Sequence, residues 1–311
     1  MQKKLISDEV VYKEKISSNR KILSKNKKSD EKKKGVYHPQ NLLNDLTGTE
    51  WIQETSTIWY QRGLGQENEH AAIEREHPAP FPYKMIERLV KFFTKKSELV
   101  LDPFSGVSST LKACALNNRR GVGVELVSKW VNLSKERLKK EAPDSSGQQI
   151  IKGDVRKILP TLEAESFDFV VTSPPYWQIL NKKADHKVIK ERLEKNLAKS
   201  YSDEKDDLGN IEKYDDFLTE LKSVFAECFR LLKPKKYLVI IVSDFRHKSK
   251  YVAYHTDIMR DMEEIGFITK GISILVQNAK KLYPYGYPYD YVPNIHHQYI
   301  LIFKKPKSDK K

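Results

Sequence analysis

Between residues 172 and 177 the chain reads Thr-Ser-Pro-Pro-Tyr-Trp. Pro174 and Pro175 lock the turn and remove two backbone donors. What remains is a set of acceptors, the Ser173 hydroxyl and the Pro174 carbonyl, beside the Tyr176 ring. Such a group can hold an exocyclic amine by both hydrogens while the ring stacks on the base. A proline-rich turn with a packed tyrosine would use the same residues. Position favours the first reading: the hexapeptide ends an apolar run at 167–172, further along a strand series that begins with a glycine turn.

That turn is Leu101-Asp102-Pro103-Phe104-Ser105-Gly106-Val107-Ser108-Ser109-Thr110. Ligands of open α/β sheets bind outside the carboxyl ends of strands, and Gly106 permits a tight turn and close backbone approach. Glu125, 23 residues after Asp102, ends the next apolar run. A carboxylate there suits a ribose diol, accepting from two hydroxyls. Asp154 follows the third run and could accept from an adenine amino group. Taken alone, one glycine does not make a dinucleotide site, and an ordinary strand–helix turn has the same form.

The elements that must carry these residues follow from periodicity. Apolar runs predict strands at 98–101, 121–125, 149–152, 167–172, 237–243, 267–276 and 298–303. Helical spacing predicts helices at 83–95, 109–117, 127–140, 155–162, 211–232 and 256–265. Strands separated by helices require right-handed crossovers and a parallel sheet. Only a loop joins the last two, which makes them antiparallel neighbours. The expected fold is α/β: a Rossmann-like seven-stranded, mostly parallel sheet with an antiparallel last strand; that this architecture resembles the class I methyltransferase fold rests on the motifs and not on periodicity. Around it the chain divides into an arm at 1–40, an N-terminal extension at 41–76, a catalytic domain at 77–303 and a tail at 304–311. Within the domain, 181–210 is a charged insertion and a candidate DNA contact.

Ser-Pro-Pro-Tyr together with Asp-Pro-Phe-x-Gly resembles the amino-methylating DNA methyltransferases, which make N4-methylcytosine or N6-methyladenine from S-adenosylmethionine. His77-Pro78-Ala79-Pro80-Phe81-Pro82 is similar to the motif that precedes the glycine turn in that family, and 121–125 and Gly153-Asp154 are similar to its next two cofactor motifs. The resemblance implies that His77, Pro78, Phe81, Asp102, Phe104, Ser105, Gly106, Ser108, Glu125, Leu126, Asp154 and Val155 serve S-adenosylmethionine. It implies that Ser173, Pro174, Pro175 and Tyr176 hold the target base. Serine at the first tetrapeptide position is similar to the N4-cytosine branch; adenine N6 on the same scaffold, an RNA amine and an inert DNA-binding protein are the alternatives. Ser108 departs from the family, standing where a second glycine is usual. The cofactor motifs precede the tetrapeptide, so the chain is not circularly permuted in that respect.

Charge points to the same partner. Lys plus Arg is 56 against 42 for Asp plus Glu. Residues 1–36 carry +7 and 304–311 carry +4, leaving +3 for the body. Basic ends suit non-specific phosphate contact with double-stranded DNA, or simply solubility. Candidate DNA contacts are Trp177, Lys182, Lys183, Arg246, Tyr285 and Tyr287. Tyr285 and Tyr287 belong to a loop that would equally pack on the sheet. The resemblance also allows a cognate restriction endonuclease as a partner. Cys114 and Cys228 are far apart, which argues against a disulfide framework or zinc site and fits a reducing cytoplasm. Neither cysteine follows a proline, so C5-cytosine chemistry is excluded. His296-His297 lack a third ligand and read as structural; no metal and no membrane span are expected.

Overall fold

The structure, a computed structural model, describes residues 35–61, 82–142, 144–178, 204, 206–277 and 280–307. His77, Pro78, Phe81, Lys182, Lys183, residues 1–34 of the arm and 181–203 of the insertion lie outside the described residues.

The elements run α1 (Gly48–Glu54), β1 (Ile58–Tyr60), α2 (Tyr83–Phe93), β2 (Leu99–Asp102), α3 (Ser109–Leu116), β3 (Arg120–Glu125), α4 (Ser128–Glu141), β4 (Gln148–Lys152) and α5 (Val155–Ile158). They continue with β5 (Phe167–Thr172), α6 (Tyr214–Leu231), β6 (Leu232–Val242), β7 (Phe245–His247), β8 (Lys250–Val252), α7 (Tyr254–Ile265), β9 (Ile268–Val276) and β10 (His297–Lys304). The main sheet has the order β1-β9-β10-β6-β5-β2-β3-β4, and β7 pairs with β8 in a separate hairpin. β10 is antiparallel to both β6 and β9, and the other pairings in the main sheet are parallel. This is the Rossmann-like, class I methyltransferase sheet.

The sheet has eight strands where periodicity predicts seven. The additional one, β1, pairs parallel with β9 at the edge. It spans three residues, of which only Trp59 is buried, so it carries no alternating signal. Trp59 packs under α2, with the Arg88 guanidinium 3.5 Å over its ring. The extension is also tied to the core by the Asn44 amide on the Phe92 carbonyl (2.7 Å) and by Arg119 on Asp45 (3.0 Å).

Side chains alternate across the sheet as a pleated strand requires. From β6, Leu238, Ile240 and Val242 enter the core beneath α6 and α7. Val239 and Ile241 enter the one beneath α2. α2 is a one-sided helix: Met85, Ile86, Leu89, Val90 and Phe93 are buried and Lys84 and Lys91 are not. It starts at Pro82, whose ring sets φ at −63°. With both faces covered, the sheet leaves its strand-end edge for a site. No described helix is long and apolar enough to cross a membrane.

Candidate functional site

A cavity of about 490 Å³ lies along that edge and is lined from the ends of β2, β3, β4 and β5 as well as β9 and β10. Glu125 and Tyr176 both line it.

At the end of β2, Asp102 turns its carboxylate inward. It accepts from the Phe104 N–H (3.2 Å) and the hydroxyls of Thr110 (2.5 Å) and Thr172 (2.8 Å). The Thr172 bond ties β5 to β2 across their ends. Burial outweighs these donors and pushes Asp102 up to about 6. The chain then turns through Gly106, at φ +51°, which directs its N–H onto Glu125 Oε2 (2.9 Å). The other Glu125 oxygen accepts from the Val127 N–H at 2.8 Å. Burial, against these two bonds and with Asp207 and Asp102 adding repulsion, raises Glu125 to about 7.

Phe104, Ser105, Gly106, Leu126 and Val155 line the same cavity. Ser108 does not. It is fully buried, its hydroxyl 3.2 Å from that of Ser105. Its φ of +58° is the left-handed conformation that glycine adopts without cost. A glycine at this position would be a backbone requirement, and the serine accepts the strain. Asp154 lines the cavity and caps α5 through the Arg156 N–H (2.9 Å). Its carboxylate is also gripped by the Arg156 guanidinium (2.9 Å from Nη2), which, against the effect of burial, holds its pKa below the usual aspartate range.

After β5, Ser173 donates its hydroxyl hydrogen to the Ile241 carbonyl at 2.9 Å. A carbonyl can only accept, so the Ser173 lone pairs are what the hydroxyl has left to offer. The Tyr176 oxygen accepts from the Ser243 N–H at 2.8 Å. Its ring leans on Tyr254 and meets the Phe245 ring edge-on. Burial pushes the phenol up to about 12, keeping it neutral. Tyr254 donates to the Pro175 carbonyl (3.1 Å), bracing the turn from α7.

Of the candidate DNA contacts, Trp177 is buried, its indole N–H donating to the Ile211 carbonyl at 2.9 Å. Arg246 donates to the Pro293 carbonyl (3.0 Å) and lies over the Tyr251 ring. Asp244, two residues before Arg246, takes the Tyr251 hydroxyl and the His255 ring. Tyr285 and Tyr287 are 50% and 81% exposed, so their loop does not pack on the sheet as a whole. Periodicity missed several lining residues. Gln277 follows β9 and Gln298 opens the antiparallel β10, so both lie at the same edge as the motifs. Strand direction was the signal for them. Gln61, Asp206 and Asp207 had none. Among the described residues no group of three or more His, Cys, Asp or Glu could hold a metal.

The family model of the DNA methylases (N6_N4_Mtase) matches residues 7–136 and 167–311. The chain belongs to this family. It is 34% identical over 103 residues to the orphan methyltransferase M.BamHII of Bacillus amyloliquefaciens, covering 33% of this chain and 37% of that one. It is 30% identical over 180 residues to the type II methyltransferase M.MjaI of Methanocaldococcus jannaschii, covering 53% and 58%. The chain thus spans less than two thirds of the length of either relative. A solved DNA modification methylase of Thermus thermophilus, in complex with S-adenosylmethionine, is 27% identical over 51% of this chain and 56% of that one, with a TM-score of 0.34.

Proposed function

We propose that this chain transfers a methyl group from S-adenosylmethionine to the exocyclic N4 of cytosine in double-stranded DNA, with the base extruded from the helix. The observation that carries the reading is the single cavity shared by Glu125 and the Ser173–Tyr176 turn. Its lining suits this donor. Among the described residues that line it are five carboxylates (Asp102, Glu125, Asp154, Asp206, Asp207) and one lysine, Lys280; with Arg156 paired to Asp154 and Lys157 to Asp206, the balance stays negative. Such a wall attracts a cation and repels a polyphosphate. Glu125 can accept from a ribose diol, and Phe104 and Val155 offer apolar surface to an adenine ring.

S-adenosylmethionine, when bound, supplies a methyl group already made electrophilic by a positive sulfur. The chain's own residues do the rest. The amine lone pair of cytosine is delocalised into the ring, which makes the nitrogen a weak nucleophile. Ser173 Oγ and the Pro174 carbonyl, accepting its two hydrogens, favour a pyramidal nitrogen and a localised lone pair. The Tyr176 ring fixes the base plane. Most of the remaining gain is positioning, worth several kcal/mol in well-oriented pairs. Extruding the base costs a few kcal/mol. Exposed Tyr285 and Tyr287 and the basic ends would meet the DNA around the site.

The test is nucleoside mass spectrometry of DNA incubated with the protein and S-adenosylmethionine. N4-methylcytosine is expected. N6-methyladenine alone would move the target to adenine, and no methylated base in DNA would overturn the reading.

A further inference from the structure

One wall of the cavity comes from a segment that no motif announced. Asp206, Asp207 and Leu208 line it as the chain returns toward α6. The segment is pinned on the Asp154 side, where Arg156 donates to the Asp206 carbonyl (3.0 Å) and Lys157 to its carboxylate (2.7 Å). It is pinned again beside the tetrapeptide. There Trp177 donates to the Ile211 carbonyl (2.9 Å) and the Gln178 N–H to the Gly209 carbonyl (3.1 Å). A Cβ on Gly209 would stand 3.5 Å from the Tyr176 carbonyl oxygen, so the strap runs close against that turn. Between the pins, Asp207 accepts from the Gly209 N–H (2.8 Å) and opens a short 3-10 helix, Leu208–Asn210.

We propose that Asp207 is a cofactor-binding carboxylate whose charge, together with that of Glu125, makes the cavity prefer the cationic methyl donor over its neutral product. The proposal rests on the reading that the cavity holds S-adenosylmethionine. In the transfer the S–CH3 bond breaks with its electron pair left on sulfur, the N–CH3 bond forms, and the amine proton leaves to water. The ligand therefore loses one positive charge at sulfur on becoming S-adenosylhomocysteine, while its other groups stay the same. A carboxylate held rigidly in a partly dry cavity feels that difference strongly. Charged groups that line the cavity with Glu125 are Asp207 and Asp206 from the strap, Asp102 at the end of β2, Asp154 after β4 and Lys280, and of these Asp207 and Asp102 repel its carboxylate. Asp207 is thus placed to weaken the hold on the spent donor relative to the fresh one, with the strap carrying it between the two halves of the cavity.

Asp207→Asn tests this in the full chain, because an asparagine oxygen can still accept from the Gly209 N–H and keep the turn. Isothermal titration with S-adenosylmethionine and S-adenosylhomocysteine at pH 8 is the readout. The variant is expected to weaken S-adenosylmethionine roughly tenfold and S-adenosylhomocysteine by about twofold or less. With a negative neighbour gone, Glu125 should also titrate lower, so the pH at which S-adenosylmethionine binding fades should fall. Asp207→Ser, which also caps, should give the same pattern. Equal weakening of both ligands with an unmoved pH midpoint would mean a merely structural role and overturn the proposal. Unchanged binding of both ligands by the variants would overturn it as well. An unmodified chain that binds neither ligand would remove the cofactor reading and this proposal together.

Discussion

Three side chains of the site can be separated by what each contributes. Ser173 brings lone pairs, so Ser173→Ala should lower kcat by roughly 10²-fold, in the range of losing one oriented partner of a reacting group, while S-adenosylmethionine binding in titration stays unchanged. Tyr176 brings a ring and an acceptor for a backbone N–H. Tyr176→Phe keeps the ring and strands the Ser243 donor, and should cost about 1–3 kcal/mol of stability in denaturant titration. Tyr176→Ala also removes the stacking face, and should reduce methylation far more than the phenylalanine variant does. Glu125 brings a carboxylate raised to about 7 by burial. Its charged form is the one a diol and a cation would favour. S-adenosylmethionine affinity should therefore climb as pH rises through about 7, and Glu125→Gln should flatten that profile.

At the scale of elements, two details decide how firmly the site is framed. The α3–α4 contact buries Lys112 and Arg137 on one carboxylate, Glu141, at 2.5 and 3.1 Å. The Lys112 ammonium also sits 3.9 Å from the Tyr83 ring centroid. A buried pair of cations sharing an anion depends on that anion. Glu141→Gln should destabilise the fold by about 3–5 kcal/mol in denaturant unfolding, whereas exposed Glu136→Gln should stay within about 0.5 kcal/mol. The edge strand β1 is anchored by a single tryptophan, and Trp59→Ala should cost about 3–5 kcal/mol by the same measurement. Its loss would also free Gln61, whose side chain accepts from the Gln277 amide at 2.8 Å.

For the whole molecule, the cavity carboxylates set a dependence of stability on pH. Glu125 and Asp102 have folded pKa values above their ordinary ones, about 7 and 6 against 4.5 and 3.8. A carboxyl raised in this way binds its proton more tightly in the folded state, so it favours folding as pH falls. The ligand-free protein should gain melting temperature as pH is lowered from about 7.5 toward 5, and a cationic ligand should shrink that gain. Asp154 and Asp168 are shifted the other way and add their stability above the ordinary aspartate range. The charge of the ends acts at longer range. Deleting residues 1–36 should weaken DNA binding and reduce the slope of log affinity against log salt, as counterion release requires; an unchanged slope would leave those lysines a role in solubility alone.

Much of this was legible along the chain because the physics behind it is local. Strand β5 is bounded identically in sequence and structure, since a six-residue apolar run ending in Ser-Pro-Pro has one place to stop. The glycine turn, Glu125, Asp154 and the tetrapeptide all stand at strand ends, where short-range pattern already assigns them. β6 starts at Leu232 and not near 237, because Leu232 already pairs with Phe167 of β5, ahead of the stretch from Tyr237 to Val242 that β10 pairs with. Tertiary structure alone placed β1, whose three residues acquire meaning only against β9. It alone turned Trp177 inward and Ser108 away from the cavity, and brought Asp207 into one cavity with Glu125 across 82 residues of chain. Burial, charge proximity and the direction of a side chain belong to neighbours distant in sequence, and no periodicity records them.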